Sequence, residues 1–172
     1  MTLDLEARSG LPEAMRMLLA EYPREAWEAD PNFSGLVAFW LQMHQGFRRG
    51  LRLMRNDAEK LLDGKLEIAT FAPRLARVGG QFVEHLHGHH HIEDHHYFPL
   101  LVAREKQLEQ GFQILDLDHQ ALDKHIAAFV GHANGVLQGG EAGSFHAHLL
   151  QLETFIERHL TDEEDLIVPV IL

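Results

Sequence analysis

The sequence predicts an all-α protein, an up-down-up-down four-helix bundle with a short N-terminal helical extension. Three observations carry this. Four stretches of roughly 25–35 residues repeat apolar residues every three and four positions, the period of an amphipathic helix. Turn-forming residues cluster between those stretches. No stretch alternates apolar and polar residues for long enough to make a convincing strand. Long helices with short connections pack naturally as a bundle. A chain of 172 residues is long enough to bury a core without disulfides.

The elements follow in order. Leu11-Pro12 opens a short helix to about Glu21, ended by Tyr22-Pro23, and Ala29-Asp30-Pro31-Asn32 breaks the chain again. Residues 1–32 are expected to cap the bundle or lie across one end, and residues 33–172 to form the bundle itself. From Ser34 the first long helix turns Leu36, Trp40, His44, Phe47, Leu51, Met54, Ala58 and Leu61 to one side, and Asp63-Gly64 closes it. Ala72-Pro73 opens the second, with proline tolerated in a first turn. Its inward stripe is Val78, Phe82, Leu86, His89, Glu93, Tyr97 and Leu100, with a kink expected near Pro99. Gln110-Gly111 reads as a break. The third helix runs from about Gln113 to Leu137, with Leu115, His119, Leu122, Ile126, Phe129, Ala133 and Val136 inward. The fourth runs from Ser144, a candidate N-cap, to about Val168, with Phe145, His148, Leu152, Phe155, His159, Glu163 and Leu166 inward.

Composition removes several functions. The net charge is -11, and all of it comes from residues 78–172, because residues 1–77 balance. Such a chain is no general binder of nucleic acid or anionic membrane, which needs clustered Lys and Arg. There are no cysteines, which excludes disulfides, thiolate metal sites and thiol nucleophiles. The start lacks a basic-then-apolar leader pattern, and no apolar run is long enough to span a membrane. A cytoplasmic protein is expected. The abnormal number is 14 histidines, seven of them between His85 and His96.

Each apolar stripe is interrupted by histidine, and two by histidine plus glutamate. The interruptions are His44, His89, Glu93, His119, His159 and Glu163. A lone buried carboxylate is costly, so such groups are paired or hold a cation. In an antiparallel bundle with about 1.5 Å of rise per residue, all six fall in one slab near the same end. There is also an internal repeat. His89, Glu93, Asp94 and Pro99 match His159, Glu163, Glu164 and Pro169 position for position, and His44-Gln45 weakly matches His119-Gln120. Histidine and glutamate at i, i+4 share a helix face. Four imidazoles and two carboxylates suit two metal ions with the carboxylates bridging, and donors without thiolate point to iron, manganese or zinc.

His44, the run from His89 to Pro99, His119 and the run from His159 to Pro169 resemble the hemerythrin-like HHE cation-binding domain over roughly residues 33–170. The resemblance implies a non-haem centre of two iron ions. His44, His89, His119 and His159 would be its ligands, and Glu93 and Glu163 its bridges. Zinc or manganese is compatible with the same donors. The oxygen-carrying hemerythrins have a further histidine one turn after the third-helix ligand. Here that place holds Asp123. They also carry an aspartate five residues after the last histidine, where this chain has Glu163 four residues after His159. The paired pattern looks more like the branch that includes iron-sensing domains and proteins of iron–sulfur cluster repair. The implied partners are O2, NO or iron, and a homodimer is compatible with the resemblance. An enzyme acting on NO or peroxide, or supplying iron for cluster repair, is the first alternative. A zinc or nickel store built on residues 85–96 is the second.

Other residues carry weaker expectations. His87, His91, His95 and His96 fall off the stripe and belong in solvent, and His125 and His132 on the surface. His148 reads as a hydrogen-bonded core histidine. Whether His85, His90 or Asp123 adds a ligand stays open. Asp94, Asp118, Asp162 and Glu164 are candidates to fix the second nitrogen of a ligating histidine. Tyr97 either donates to the site or packs. Trp40 and Phe47 are site walls. Arg48, Arg52 and Arg55 read as a solvated stripe.

Overall fold

The computed structural model describes residues 3–33 and 35–172. Four long helices form the bundle: α1 (Leu36–Leu62), α2 (Ile68–Ile92), α4 (Glu109–Leu137) and α5 (Ala142–Ile171). A π-helical stretch, Glu93–Tyr97, leads from α2 into the short α3 (Phe98–Arg104). The contacts α1–α2, α2–α4, α4–α5 and α5–α1 close a ring of neighbours, as an up-down-up-down bundle requires. Among the described residues there is no strand, and no helix is long and apolar enough to cross a membrane. Ser34, the expected start of the first long helix, lies outside the described residues.

The apolar stripes meet as expected. Leu51, Met54 and Ala58 of α1 pack with Phe82 and Leu86 of α2, Leu122 and Phe129 of α4 and Phe145 and Leu152 of α5 in the main core. Burying each large side chain contributes about 1.5–3 kcal/mol. A second apolar cluster, with Leu11, Trp40, Phe98, Leu101, Phe112, Leu115 and Leu166, closes the end where α1 begins and α5 finishes.

The chain departs from the sequence reading at its punctuation. Residues 12–21 form two short 3-10 turns, Glu13–Met15 and Met17–Ala20, not one helix, and a third covers Arg24–Ala29. Buried Leu11 and Trp27 pin this segment to the bundle. α2 begins at Ile68, upstream of Pro73, because Phe71 is buried edge-on against Phe145 and draws the preceding turn into the helix. Gly111 is not a break but part of the first turn of α4. A Cβ there would sit 2.9 Å from Leu166, so glycine permits close approach of α4 to α5. Ser144 lies inside α5, whose cap is Glu141, and meets His132 at 3.2 Å. α5 continues past Val168, through Pro169, to Ile171.

The expected kink at Pro99 is relieved one turn earlier. Proline cannot donate a backbone hydrogen bond, and its ring crowds the carbonyl four residues back, here that of His95. The chain widens instead: the Phe98 amide donates to the Glu93 carbonyl, five residues back, and Pro99 falls in the first turn of α3. The extra residue rotates everything after it. Leu100, expected inward, is 57% exposed, and Phe98 and Leu101 take the core positions.

Candidate metal centre

All six stripe-interrupting residues arrive at one level of the bundle. His44, Glu93, His119, His159 and Glu163 are buried and His89 is nearly so. They sort into two groups. Donor atoms of His44, His89, Glu93 and Glu163 lie within 4.8 Å of one another, and so do those of His119 and His159 together with His90. His90 was the open question of the run. α2 sits at a corner of the ring, beside both α1 and α4. Successive helical residues point about 100° apart, so His89 reaches towards α1 while His90 reaches towards α4. His90 stacks on His119 at 3.9 Å. His85 and Asp123 join neither group: His85 is exposed, and Asp123 lies in solvent 3.5 Å from His87.

The two carboxylates straddle the groups. Glu93 places Oε1 2.8 Å from His89 Nε2 and Oε2 3.6 Å from His119 Nε2. Glu163 places Oε1 3.4 Å from His44 Nε2 and Oε2 3.2 Å from His159 Nε2. The Trp40 indole N–H donates to Glu163 Oε1 at 2.6 Å, so Trp40 orients a carboxylate as well as walling the site. Phe47 packs 5.2 Å from the His89 ring. Tyr97 packs edge-on against Trp40.

Behind the imidazoles stands a layer of carboxylates. Glu164 meets His44 Nδ1 at 3.0 Å, Asp94 meets His119 Nδ1 at 2.7 Å, and Asp118 meets His159 Nδ1 at 3.3 Å. A carboxylate can only accept, so each Nδ1 carries a proton and each Nε2 is turned to the centre, where it offers a lone pair to a metal once any proton of its own has left. Asp162, expected to share this role, instead accepts from Arg8 and from the Leu11 amide. Three arginines neutralise this layer. Arg8, its side chain wholly buried, donates to Asp118 and Asp162. Arg24 donates to Glu164 and Asp165. Arg48 donates to Glu164 and Glu157, so it is no member of a solvated stripe. Arg8 and Arg24 were missed in the sequence. Their partners lie 110 to 154 residues away, and no local pattern announces such pairs.

The remaining histidines divide. His87, His91, His95 and His96 are exposed as expected. His125 and His132 are half-buried, not surface: His125 meets Glu6 at 2.9 Å and His132 stacks on His148. His148, also half-buried, donates to the His125 carbonyl.

The ionisation of the centre is uneven. Burial opposes the charged form of His159, but the bonds and charge of Asp118 and Glu163 outweigh it and raise its pKa to about 9. Burial similarly opposes a charge on His44, and Glu163 and Glu164 outweigh it. Burial lowers His89 to about 3 and holds His90 well below the usual imidazole range. Burial, then the charge of Glu163, pushes Glu93 well above the usual carboxylate range. Glu163 is driven well below it by His44 and His159 despite its burial.

These residues fit a cation. Both ring nitrogens of His90, both oxygens of Glu93 and Oε2 of Glu163 are buried without a hydrogen-bond partner. An unsatisfied buried polar group costs about 1–3 kcal/mol. Two pairs of Nε2 atoms also face each other, His44 with His89 at 3.1 Å and His119 with His159 at 3.2 Å. Ring nitrogens converging in this way beside unpartnered carboxylate oxygens could hold a positive ion.

The architecture is thus a helical bundle with a histidine–carboxylate cluster at one end of its core that could hold a cation. Residues 35–171 match the hemerythrin HHE cation binding domain, and the chain belongs to that family. Comparison with curated proteins and with solved structures gives no significant match.

Proposed function

We propose that this cation-binding domain holds two iron ions and uses them to bind or sense O2, NO or iron itself. One ion would take His44 and His89, the other His90, His119 and His159, with Glu93 and Glu163 bridging. The observation that carries this reading is the straddling of the two carboxylates, each with one oxygen turned to each imidazole group. Nitrogen and oxygen donors without thiolate suit iron. A cytoplasmic location belongs to the same proposal.

Bound iron would supply an open coordination position and one-electron chemistry. The chain's own residues supply the rest. Glu164, Asp94 and Asp118 fix the histidine tautomers. Trp40 holds Glu163 in place. An apolar cavity of about 540 Å³ between α1 and α2, walled by Phe39, Trp40, Met43, Ile92 and Tyr97, reaches His89 and Glu93. With only Glu84 and His85 polar among the residues lining it before His89 and Glu93, it suits a small neutral molecule better than a charged one, which loses hydration against the apolar walls.

Metal analysis and an absorption spectrum of protein from iron-supplemented cells test the centre. Two irons per chain with near-ultraviolet absorption are expected, both lost in the Glu93→Ala/Glu163→Ala double variant. Steady-state assays of the iron-loaded protein with NO, peroxide and O2 then test the role. Stoichiometric binding supports sensing, whereas sustained turnover replaces it with the enzyme reading.

A further inference from the structure

The proposed centre uses only two of the seven histidines between His85 and His96. The helix divides the others. His87, His91 and His95 face solvent on the α4 side of α2 and, with Asp94 and Asp123, line a cavity of about 490 Å³. Its floor is made by His90 and His119, both members of the buried group. The π-helical stretch shapes this wall. The rings of His91 and His95 stand 4.3 Å apart, and His95 Nδ1 donates to the His91 carbonyl at 2.9 Å. That bond requires the proton on Nδ1 and leaves the His95 Nε2 lone pair free for a metal. Across the cavity, Asp123 lies 3.5 Å from His87 Nε2. Asp94 belongs to both layers, since it lines the cavity and holds His119 Nδ1. Beneath, His90 is 4% exposed with neither ring nitrogen bonded.

We propose that His87, His91 and His95, with Asp94 and Asp123, form an outer collecting site for a divalent cation, which passes it inward through His90 and His119 to the buried centre. The proposal rests on the two-ion reading of that centre. The outer donors do not gather into a compact group as the buried ones do, so they hold an ion loosely and release it. Asp94 and Asp123 put negative charge on this face, which draws cations to it. The other opening to the centre, between α1 and α2, is mostly apolar, with Glu84 and His85 as the only polar side chains among Leu36, Phe39, Trp40, Met43 and Ile92 before His89 and Glu93, so it replaces less of a hydrated ion's water. Cations and neutral ligands therefore reach the centre by separate openings on the two sides of α2.

The test compares loading of the metal-free chain with cobalt(II), followed by visible absorption, in three proteins. A His87→Ala/His91→Ala/His95→Ala variant changes only exposed side chains, so its fold is retained. It is expected to load about tenfold more slowly, the scale of focusing at a charged cleft, yet to reach the wild-type number of tightly held ions. Gly88→Leu fills the apolar opening, where a Cβ meets nothing within 4 Å, and is expected to load at the wild-type rate. Equilibrium dialysis with zinc adds a second readout. The Glu93→Ala/Glu163→Ala chain should keep a weakly held ion that disappears when the three outer histidines are also replaced. Unchanged loading in the triple variant, or slowed loading in Gly88→Leu alone, overturns the proposal and leaves the buried centre standing. Tight binding that survives in the double glutamate variant overturns the two-ion reading instead.

Discussion

The two copies of the His-x-x-x-Glu pattern have the same ligand spacing and opposite surroundings. In α5, every residue from Asp162 to Val170 is buried, beneath an N-terminal segment that sends Arg8 and Arg24 into the layer behind the imidazoles. In α2, Glu93 is buried, but His91, Ile92, His95 and His96 around it are exposed. The backbone there widens into a π-helical turn, whereas α5 stays α-helical through its own proline. Identical spacing thus supports different duties. The α5 copy is the fixed side of the site, braced by buried ion pairs. The α2 copy is the exposed side, against which both cavities open.

The sharpest way to break this comparison is to neutralise each glutamate in the metal-free chain. Glu163 faces two histidines whose protonated forms it favours. Removing one partner of a buried ionic set costs about 3–5 kcal/mol, so Glu163→Gln should lower urea stability by that order. Burial and the charge of Glu163 push Glu93 well above the usual carboxylate range, so Glu93→Gln removes little favourable charge interaction and should change metal-free stability by less than about 1 kcal/mol while still abolishing metal retention. Equal losses in the two variants would erase the distinction between the copies.

A smaller contrast sits one layer out. Arg8→Met removes the buried guanidinium shared by Asp118 and Asp162, leaving them His159 and Arg158, and should cost about 3 kcal/mol in urea unfolding. Asp94, on the open side, is partly exposed. Asp94→Asn should leave unfolding nearly unchanged and weaken metal affinity about 10–100-fold through His119, as read by competition with a chelator.

A further contrast is in the pH dependence of the metal-free chain. His159 has its pKa raised from 6.5 to about 9, so its contribution is complete below pH 6.5 and is lost as pH rises through 9. His89 is lowered from 6.5 to about 3, so the folded chain resists protonation there and loses stability as pH falls from 6.5 towards 3. Glu164 is lowered from 4.5 to about 2, its burial outweighed by the bonds from His44 and Arg48. Its contribution is present above pH 4.5 and is lost towards 2. The melting temperature should therefore peak near pH 6.5. His159→Gln should flatten the alkaline limb, and His89→Gln the upper part of the acid limb. A peak displaced to pH 9 would mean that His159 gains nothing from its carboxylates.

The bundle and the level of the site were legible because burial repeats at helical period, so a histidine or glutamate in an apolar stripe announces itself. His44 and His159 could be placed by counting residues. The element ends were harder, because glycine and proline carry two meanings. Gly111 marks close packing against Leu166, and Pro99 moves the distortion one turn upstream. His90 stays open in the sequence because a single inward direction per helix leaves it at the border of the stripe, although a helix in a ring has two neighbours. Arg8, Arg24 and the role of Arg48 depend on tertiary pairing with residues more than one hundred positions away, which periodicity does not encode.

The arginines also bear on how the protein can be cut. The family match begins at residue 35, downstream of Arg8 and Arg24. A fragment trimmed to that match would retain every proposed metal ligand. It would leave Asp118 and Asp162 without the guanidinium of Arg8, and Glu164 with only His44 and Arg48. Its imidazoles would then be oriented by carboxylates exposed to water and to mutual repulsion. Excising the recognisable part of this chain would preserve the donors and discard the counter-charges that keep them aimed.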